Sequence, residues 1–197
     1  MIKPSIIITE GDFLSLSEQN RKQIKIITLS ELNRRAEDTD KFIETSEKQY
    51  ADKISAAAES IAQCHKQKPL VLLSGPSGSG KTTTAYRIAD RLIAKGIKAV
   101  VISMDDYFVP GAIQPDENGR VDLEAPARVD GELLKKDLRT LASGGEVQLP
   151  KFNFTDNSRR QGNKIRCDGN TVVIIEGIHA LNPDVTGKMH DSATFIY

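Results

Sequence analysis

Leu70-Val71-Leu72-Leu73-Ser74-Gly75-Pro76-Ser77-Gly78-Ser79-Gly80-Lys81-Thr82-Thr83 is the stretch that decides the fold. An apolar run of strand character empties into a glycine-rich turn, and a helical pattern begins at the lysine. Gly75 to Thr82 satisfies G-x-x-x-x-G-K-[ST] at every fixed position. Glycines lack the Cβ that would block an anion, so successive backbone N–H groups can converge on it. The helix opening near Lys81 adds the positive end of its dipole to the same phosphates. Lys81 is spaced to reach the β- and γ-phosphate oxygens, and the Thr82 hydroxyl to ligate Mg2+. Gly75, Pro76, Ser77, Gly78, Ser79, Gly80, Lys81, Thr82 and Thr83 are therefore the expected nucleoside triphosphate loop. A Gly/Ser turn that binds nothing is the competing reading, and the strand before with the helix after argues against it.

The chain around this loop has 197 residues, enough for one domain with a substantial core plus an appendage. Lys+Arg and Asp+Glu are both 27, so the formal net charge is zero. That balance gives no electrostatic case for nucleic acid or an anionic membrane as partner. It leaves a homo-oligomer open. Cys64 and Cys167 lie far apart with no C-x-x-C spacing and read as free thiols in a reducing cytoplasm. No apolar run approaches membrane-spanning length. The N-terminal Ile6-Ile7-Ile8 soon turns polar, unlike a signal peptide.

Outward from the loop, the pattern is that of an α/β domain with an N-terminal helical appendage. Ile6–Thr9 and Ile24–Ile27 are short β-like stretches, and Ser30-Glu31-Leu32 opens a short helix. From Thr39 to about Gln63 the period is helical, with Ile43, Tyr50, Ile54, Ala57 and Ile61 on one stripe. The expected division is residues 1–66 as an N-terminal segment and 67–197 as the nucleotide-binding domain. Within that domain the spacing predicts a strand over Leu70–Ser74, then a helix from Lys81 to about Lys95. A strand over Lys98–Ser103 completes a βαβ unit. Asp130 opens a helix that runs to about Ala142 and stops at Gly144-Gly145. Glu146–Leu149, Lys151–Phe154 and Lys164–Cys167 are short β candidates forming a side element. Thr171–Glu176 is a third buried strand, and Ala193–Tyr197 begins a fourth.

Ligands bind at the carboxyl ends of parallel strands. Three expected strands end there in chemistry: the phosphate loop, Asp105-Asp106, and Glu176. An apolar strand ending in an acid downstream of a phosphate loop is a Walker B arrangement, so Glu176 is expected to hold Mg2+ opposite Thr82. Asp105 and Asp106 stand where a carboxylate can take the proton of a hydroxyl that accepts a phosphoryl group. Spacing alone leaves them equally readable as turn-forming aspartates. Asp184-Val185-Thr186-Gly187 matches D-x-x-G but does not end a strand, and the chain holds no N-K-x-D, so a GTPase reading fails. His65, His179 and His190 show no ligand spacing and read as surface or packing residues.

The ordered set GPSGSGKTT, ISMDDYF, DLEAPARVD, LPKFNF and VVIIEGIHALNP resembles the uridine kinase/phosphoribulokinase branch of phosphate-loop kinases, from about Thr39 to Tyr197. The resemblance implies a three-layer phosphate-loop fold with a parallel sheet and small β side element, using ATP and Mg2+. It implies Asp105 as catalytic base with Lys81 on the transferred phosphate, and Glu176 as the Mg2+-linked acid. It also implies Glu124 on the acceptor's ribose hydroxyls, Phe152 against its base, and Tyr107 on the same side. For Phe152, an aromatic between Lys151 and Asn153 in a short strand, a plain core position is the equal alternative. Ala125 replaces the family's histidine before the proline, and Asn157 replaces a base-contacting histidine. By the same resemblance the family's arginine-rich lid and last core strand lie beyond Tyr197. The expectation is that these 197 residues alone are marginally stable with little or no activity. The reading is a cytoplasmic kinase that moves the ATP γ-phosphate to the 5′-hydroxyl of a nucleoside such as uridine or cytidine. The alternatives are a kinase for another small alcohol (a sugar phosphate or pantothenate) and a non-catalytic ATP-binding module.

Overall fold

The computed structural model describes residues 28–111 and 122–197. The expected β-like stretches at Ile6–Thr9 and Ile24–Ile27 lie outside the described residues. The chain forms two compact units, one through Ala51 and one over Asp52–Tyr197. The division between these units falls inside the long helix.

In the first unit, α1 (Leu29–Ala36) is capped by Thr28, whose Oγ1 accepts the Glu31 N–H at 3.2 Å. The Glu31 carboxylate sits 2.7 Å from both Arg34 and Arg35. α2 (Thr39–Cys64) begins in this unit, where Ile43 is 54% exposed. The apolar stripe read along the whole helix is thus buried only in its second half. There Ile54, Ala57, Ala58 and Ile61 close into the core of the second unit.

The second unit is built on a four-stranded parallel sheet. Its strands are β1 (Leu70–Leu73), β2 (Lys98–Ser103), β5 (Thr171–Glu176) and β6 (Ala193–Ile196), in the order β2-β5-β1-β6. β1 and β2 are not neighbours as a simple βαβ unit would have them; β5 lies between. Every residue of β1 and β5 is buried, which is why both read as unbroken aliphatic runs. Leu70, Leu72, Val173 and Ile175 face the helix α4 (Gly131–Ala142) through Leu134, Leu138 and Leu141. The alternate residues Val71 and Ile174 face the other way, where α3 (Lys81–Ala94) lays Ala85, Ile88, Ala89 and Leu92 against the sheet. α2 joins that layer through Arg91 on Ser55 (2.8 Å) and Lys95 on Glu59.

The side element is a two-stranded antiparallel ribbon, β3 (Glu146–Asn153) and β4 (Ser158–Arg166), where three short pieces were expected. Its register shifts between Gln148 and Pro150, because proline has no N–H for the ladder. Gly162 lies opposite, where a Cβ would come within 3.1 Å of the Leu149 and Pro150 carbonyls. The turn Asn182–Gly187 is a short helix, α5 (Pro183–Thr186), capped by Asn182.

Candidate active site

Sheet register sets the site. Leu73, Glu176 and Ser103 stand side by side at the carboxyl ends of β1, β5 and β2. The three expected groups therefore leave the sheet from adjacent strands. Gly177 donates its N–H to Leu73 O at 3.1 Å, and Ser74 Oγ donates to Ile178 O at 2.8 Å, tying the β5 exit to the phosphate loop. Gly177 is required here, since a Cβ would come 2.7 Å from the buried Met104 Cβ.

The loop takes a shape only its glycines allow. Gly78 and Gly80 have φ of +72° and +81°, in the left-handed region. A Cβ on Gly75 would lie 2.8 Å from Ser79 Oγ. Gly80 caps α3 with no side chain, so the first-turn N–H groups of Lys81, Thr82 and Thr83 are left to an external acceptor. Lys81 folds back over the loop and donates to Pro76 O at 2.8 Å.

Asp105 and Asp106 share one turn of 3-10 helix after β2 but differ in bonding. Asp106 accepts from Lys151 Nζ at 3.0 Å and from the Phe152 N–H at 3.3 Å, which fastens the side ribbon to the sheet. Asp105 has no hydrogen-bond or ion-pair partner among the described residues for its carboxylate. Partial burial pushes that carboxyl above its usual range. The Lys81 ammonium opposes the shift, the Asp106 charge adds to it, and Arg128 opposes it. A carboxylate with raised proton affinity, unpartnered beside a phosphate loop, has the character of a general base.

Glu176 is only 5% exposed and has no hydrogen-bond or ion-pair partner among the described residues. An almost buried carboxylate without a partner calls for a cation. No cluster of three His, Cys, Asp or Glu exists among the described residues. Mg2+ needs no such cluster, since it takes one or two protein oxygens and fills its other positions with phosphate and water. Thr82 and Glu176 are the donors present.

Asp105 opens onto a pocket lined also by Met104, Phe108, Glu124, Ile178 and His179. Glu124 is exposed within it. Tyr107 is a correction: it is 1% exposed, and its hydroxyl donates to Asp137 at 3.0 Å inside the core. Phe152 is 4% exposed and packs edge-on against Phe108 (5.7 Å) and Phe154 (5.1 Å). The aromatic that reaches solvent is Phe154, at 65%. Arg128 stacks over Phe108 at 4.4 Å. Asn157, in the left-handed region at φ 50°, donates to Gly111 O at 2.6 Å and ties the ribbon tip to the loop after β2. His179 is the residue that spacing missed. Its ring lines the pocket and contacts Glu124 O at 2.6 Å, and the only signal in the sequence was its place three residues past Glu176.

A sequence profile described as "Phosphoribulokinase / Uridine kinase family" matches residues 70–191, which span the whole site. A uridine kinase of Ureaplasma parvum serovar 3 is 30% identical over 132 residues, 66% of this chain and 63% of that protein. Uridine-cytidine kinase C of Dictyostelium discoideum is 32% identical over 130 residues, 66% of this chain and 27% of its own length. A solved structure described as a possible uridine kinase from Bacillus stearothermophilus superposes with a TM-score of 0.59 at 20% identity. It covers 73% of this chain and 79% of that one, and speaks to the fold alone. This chain thus spans about 63% of the Ureaplasma relative's length. No helix among the described residues is long and apolar enough to cross a membrane.

Proposed function

Since this chain belongs to the phosphoribulokinase/uridine kinase family, we propose that it transfers the γ-phosphate of ATP to a hydroxyl of an uncharged polyol, with a nucleoside 5′-hydroxyl the leading candidate. The observation that carries this reading is Asp105, unpartnered and raised in proton affinity, sharing a pocket with Glu124 at the end of the sheet that bears the phosphate loop. The loop from Gly75 to Thr83 holds the triphosphate through its backbone N–H groups, and Lys81 swings from Pro76 O onto the phosphate oxygens. Asp105 accepts the acceptor hydroxyl's proton as its oxygen bonds to the γ-phosphorus. The bond from that phosphorus to the β-bridging oxygen breaks, and ADP leaves. Thr82 and Glu176 are the residues that would hold Mg2+, which when bound would offset charge on the phosphate oxygens. Phe154 and the Phe108 edge form the apolar wall against which a base lies, the role first assigned to Phe152. The unpaired Cys64 and Cys167 support a cytoplasmic setting.

Charge favours a neutral acceptor. The lining side chains carry Asp105 and Glu124 and, among the described residues, no lysine or arginine. The Lys81 and Arg128 charges that act on Asp105 from outside the lining offset part of this. An anionic group about 4 Å from a carboxylate is repelled by about 1–4 kcal/mol between bulk water and a surface-like dielectric. A sugar phosphate or pantothenate is disfavoured on that ground, and a neutral nucleoside is not. Calorimetry with a non-hydrolysable ATP analogue and Mg2+ tests this against a panel of nucleosides, sugar phosphates and pantothenate. Selective binding of neutral nucleosides, with ADP release that depends on them, is the expected result. Binding of the anionic compounds alone overturns the acceptor class, and nucleotide binding with no acceptor dependence favours the sensing module.

A further inference from the structure

The geometry points to His179 as a positioning residue that holds Glu124 in place across the pocket from Asp105. The base of the His179 side chain is fixed. Gly177 N–H is bonded to Leu73 O, Ile178 O receives Ser74 Oγ, and Ala180 is fully buried with its N–H on Gly177 O at 3.2 Å. Glu124, by contrast, stands on an exposed stretch outside any helix or strand. Among the described residues its own N–H reaches the nearby Asp122 Oδ1 at 2.8 Å, and the neighbouring Leu123 O receives Arg128 at a long 3.4 Å. Among the described residues the stretch is tied at its far end by Val109 N–H on Arg128 O at 2.8 Å. The 2.6 Å contact between His179 Nε2 and Glu124 O is the short bond that holds Glu124 itself to the exit of β5.

A carbonyl oxygen only accepts, so Nε2 carries the proton and donates. The bond goes to the backbone of Glu124, which leaves its carboxylate free for an acceptor hydroxyl. His179 therefore sets the distance between the two carboxylate walls without touching the transferred phosphate. The role of Glu124 on the acceptor rests on the proposed function; the latch itself does not.

Two readouts keep these apart. Amide hydrogen exchange of residues 122–128 reports the latch whatever the chain phosphorylates. His179→Ala raises exchange there, while His179→Gln, which keeps a donor at about the same reach, leaves it near wild type. In turnover, one neutral hydrogen bond is worth about a two- to tenfold change. His179→Ala accordingly raises acceptor KM about two- to tenfold with ATP KM unchanged, and His179→Gln restores it. In a Glu124→Ala background the same change adds nothing further, because both act through one carboxylate. Unchanged exchange in His179→Ala overturns the latch and leaves the acceptor reading standing. Raised exchange with Glu124→Ala itself silent on acceptor KM overturns the role given to Glu124, and with it the positioning function. Multiplicative effects of the two substitutions show His179 acting on its own and also overturn the proposal.

Discussion

Asp105 and Asp106 are neighbours of identical chemistry that differ in bonding, and the proposed function gives stability to Asp106 and catalysis to Asp105. Replacing Asp106 by alanine removes the acceptor of the Phe152 N–H, a part-buried bond, and the 3.0 Å ion pair to Lys151. An unpartnered, partly buried donor costs about 1–3 kcal/mol, and an ion pair to an exposed lysine adds about 0–1 kcal/mol. The sum is about 2 kcal/mol, which lowers Tm by about 4–8 °C for a chain of this size. Asp105→Asn removes no protein contact, and it replaces a carboxylate whose ionised form the fold disfavours. Its Tm is expected to stay within about 2 °C of wild type or rise. Its acceptor-dependent rate should fall about 10²–10⁴-fold, the usual contribution of a positioned base. Differential scanning fluorimetry, together with ADP release measured below the lower melting point, separates the two. If Asp105→Asn lowers Tm as far as Asp106→Ala, or Asp106→Ala costs more rate, the division is wrong.

Other substitutions probe the remaining parts. Lys81→Ala is expected to abolish or sharply weaken ATP binding by calorimetry with far-UV circular dichroism unchanged; wild-type affinity refutes the loop assignment. Gly177→Ala drives a Cβ into Met104 at the β5 exit and should destabilise by about 1–3 kcal/mol in urea denaturation. An unchanged midpoint shows the exit to be more pliant than the packing indicates. Asp137 is held above the usual carboxylate range by burial, with the Tyr107 hydrogen bond and Lys136 opposing. The folded state thus binds this proton more tightly than the unfolded chain. Its contribution is full below about pH 4 and is lost as pH rises through the raised value. Asp137→Asn keeps an acceptor for Tyr107 and should flatten that decline; parallel stability curves for wild type and variant refute it.

The sheet was legible from its aliphatic runs: Leu70–Leu73 and Thr171–Glu176 are buried throughout and emerge nearly as read. Lys98–Ser103, expected to be buried, keeps its bounds but is a half-buried edge strand in which Ile102 alone is fully buried. The phosphate loop was legible because its glycines answer to a backbone shape that few other residues adopt. Register was not, since insertion of β5 between β1 and β2 depends on contacts far apart in sequence. Pro150 and Gly162 merged two expected pieces into one bulged strand for the same reason. On the acceptor side, family position suggested Tyr107 and Phe152, yet an aromatic's spacing does not say which way its ring turns, and both rings turned into the core. His179 carried no motif, because a histidine that bonds a backbone carbonyl needs no partner side chain at a fixed offset. The long helix misled in its first half, where Ile43 sits on the apolar stripe but remains exposed.

Phosphorus-31 NMR of the chain with Mg·ATP and a neutral nucleoside asks the central question directly, because it records where the γ-phosphate goes however slow the turnover. The account predicts a new phosphomonoester appearing one for one with ADP, absent without the nucleoside and absent in Asp105→Asn. Inorganic phosphate accumulating at the same rate with or without the nucleoside, and no phosphomonoester, contradicts it.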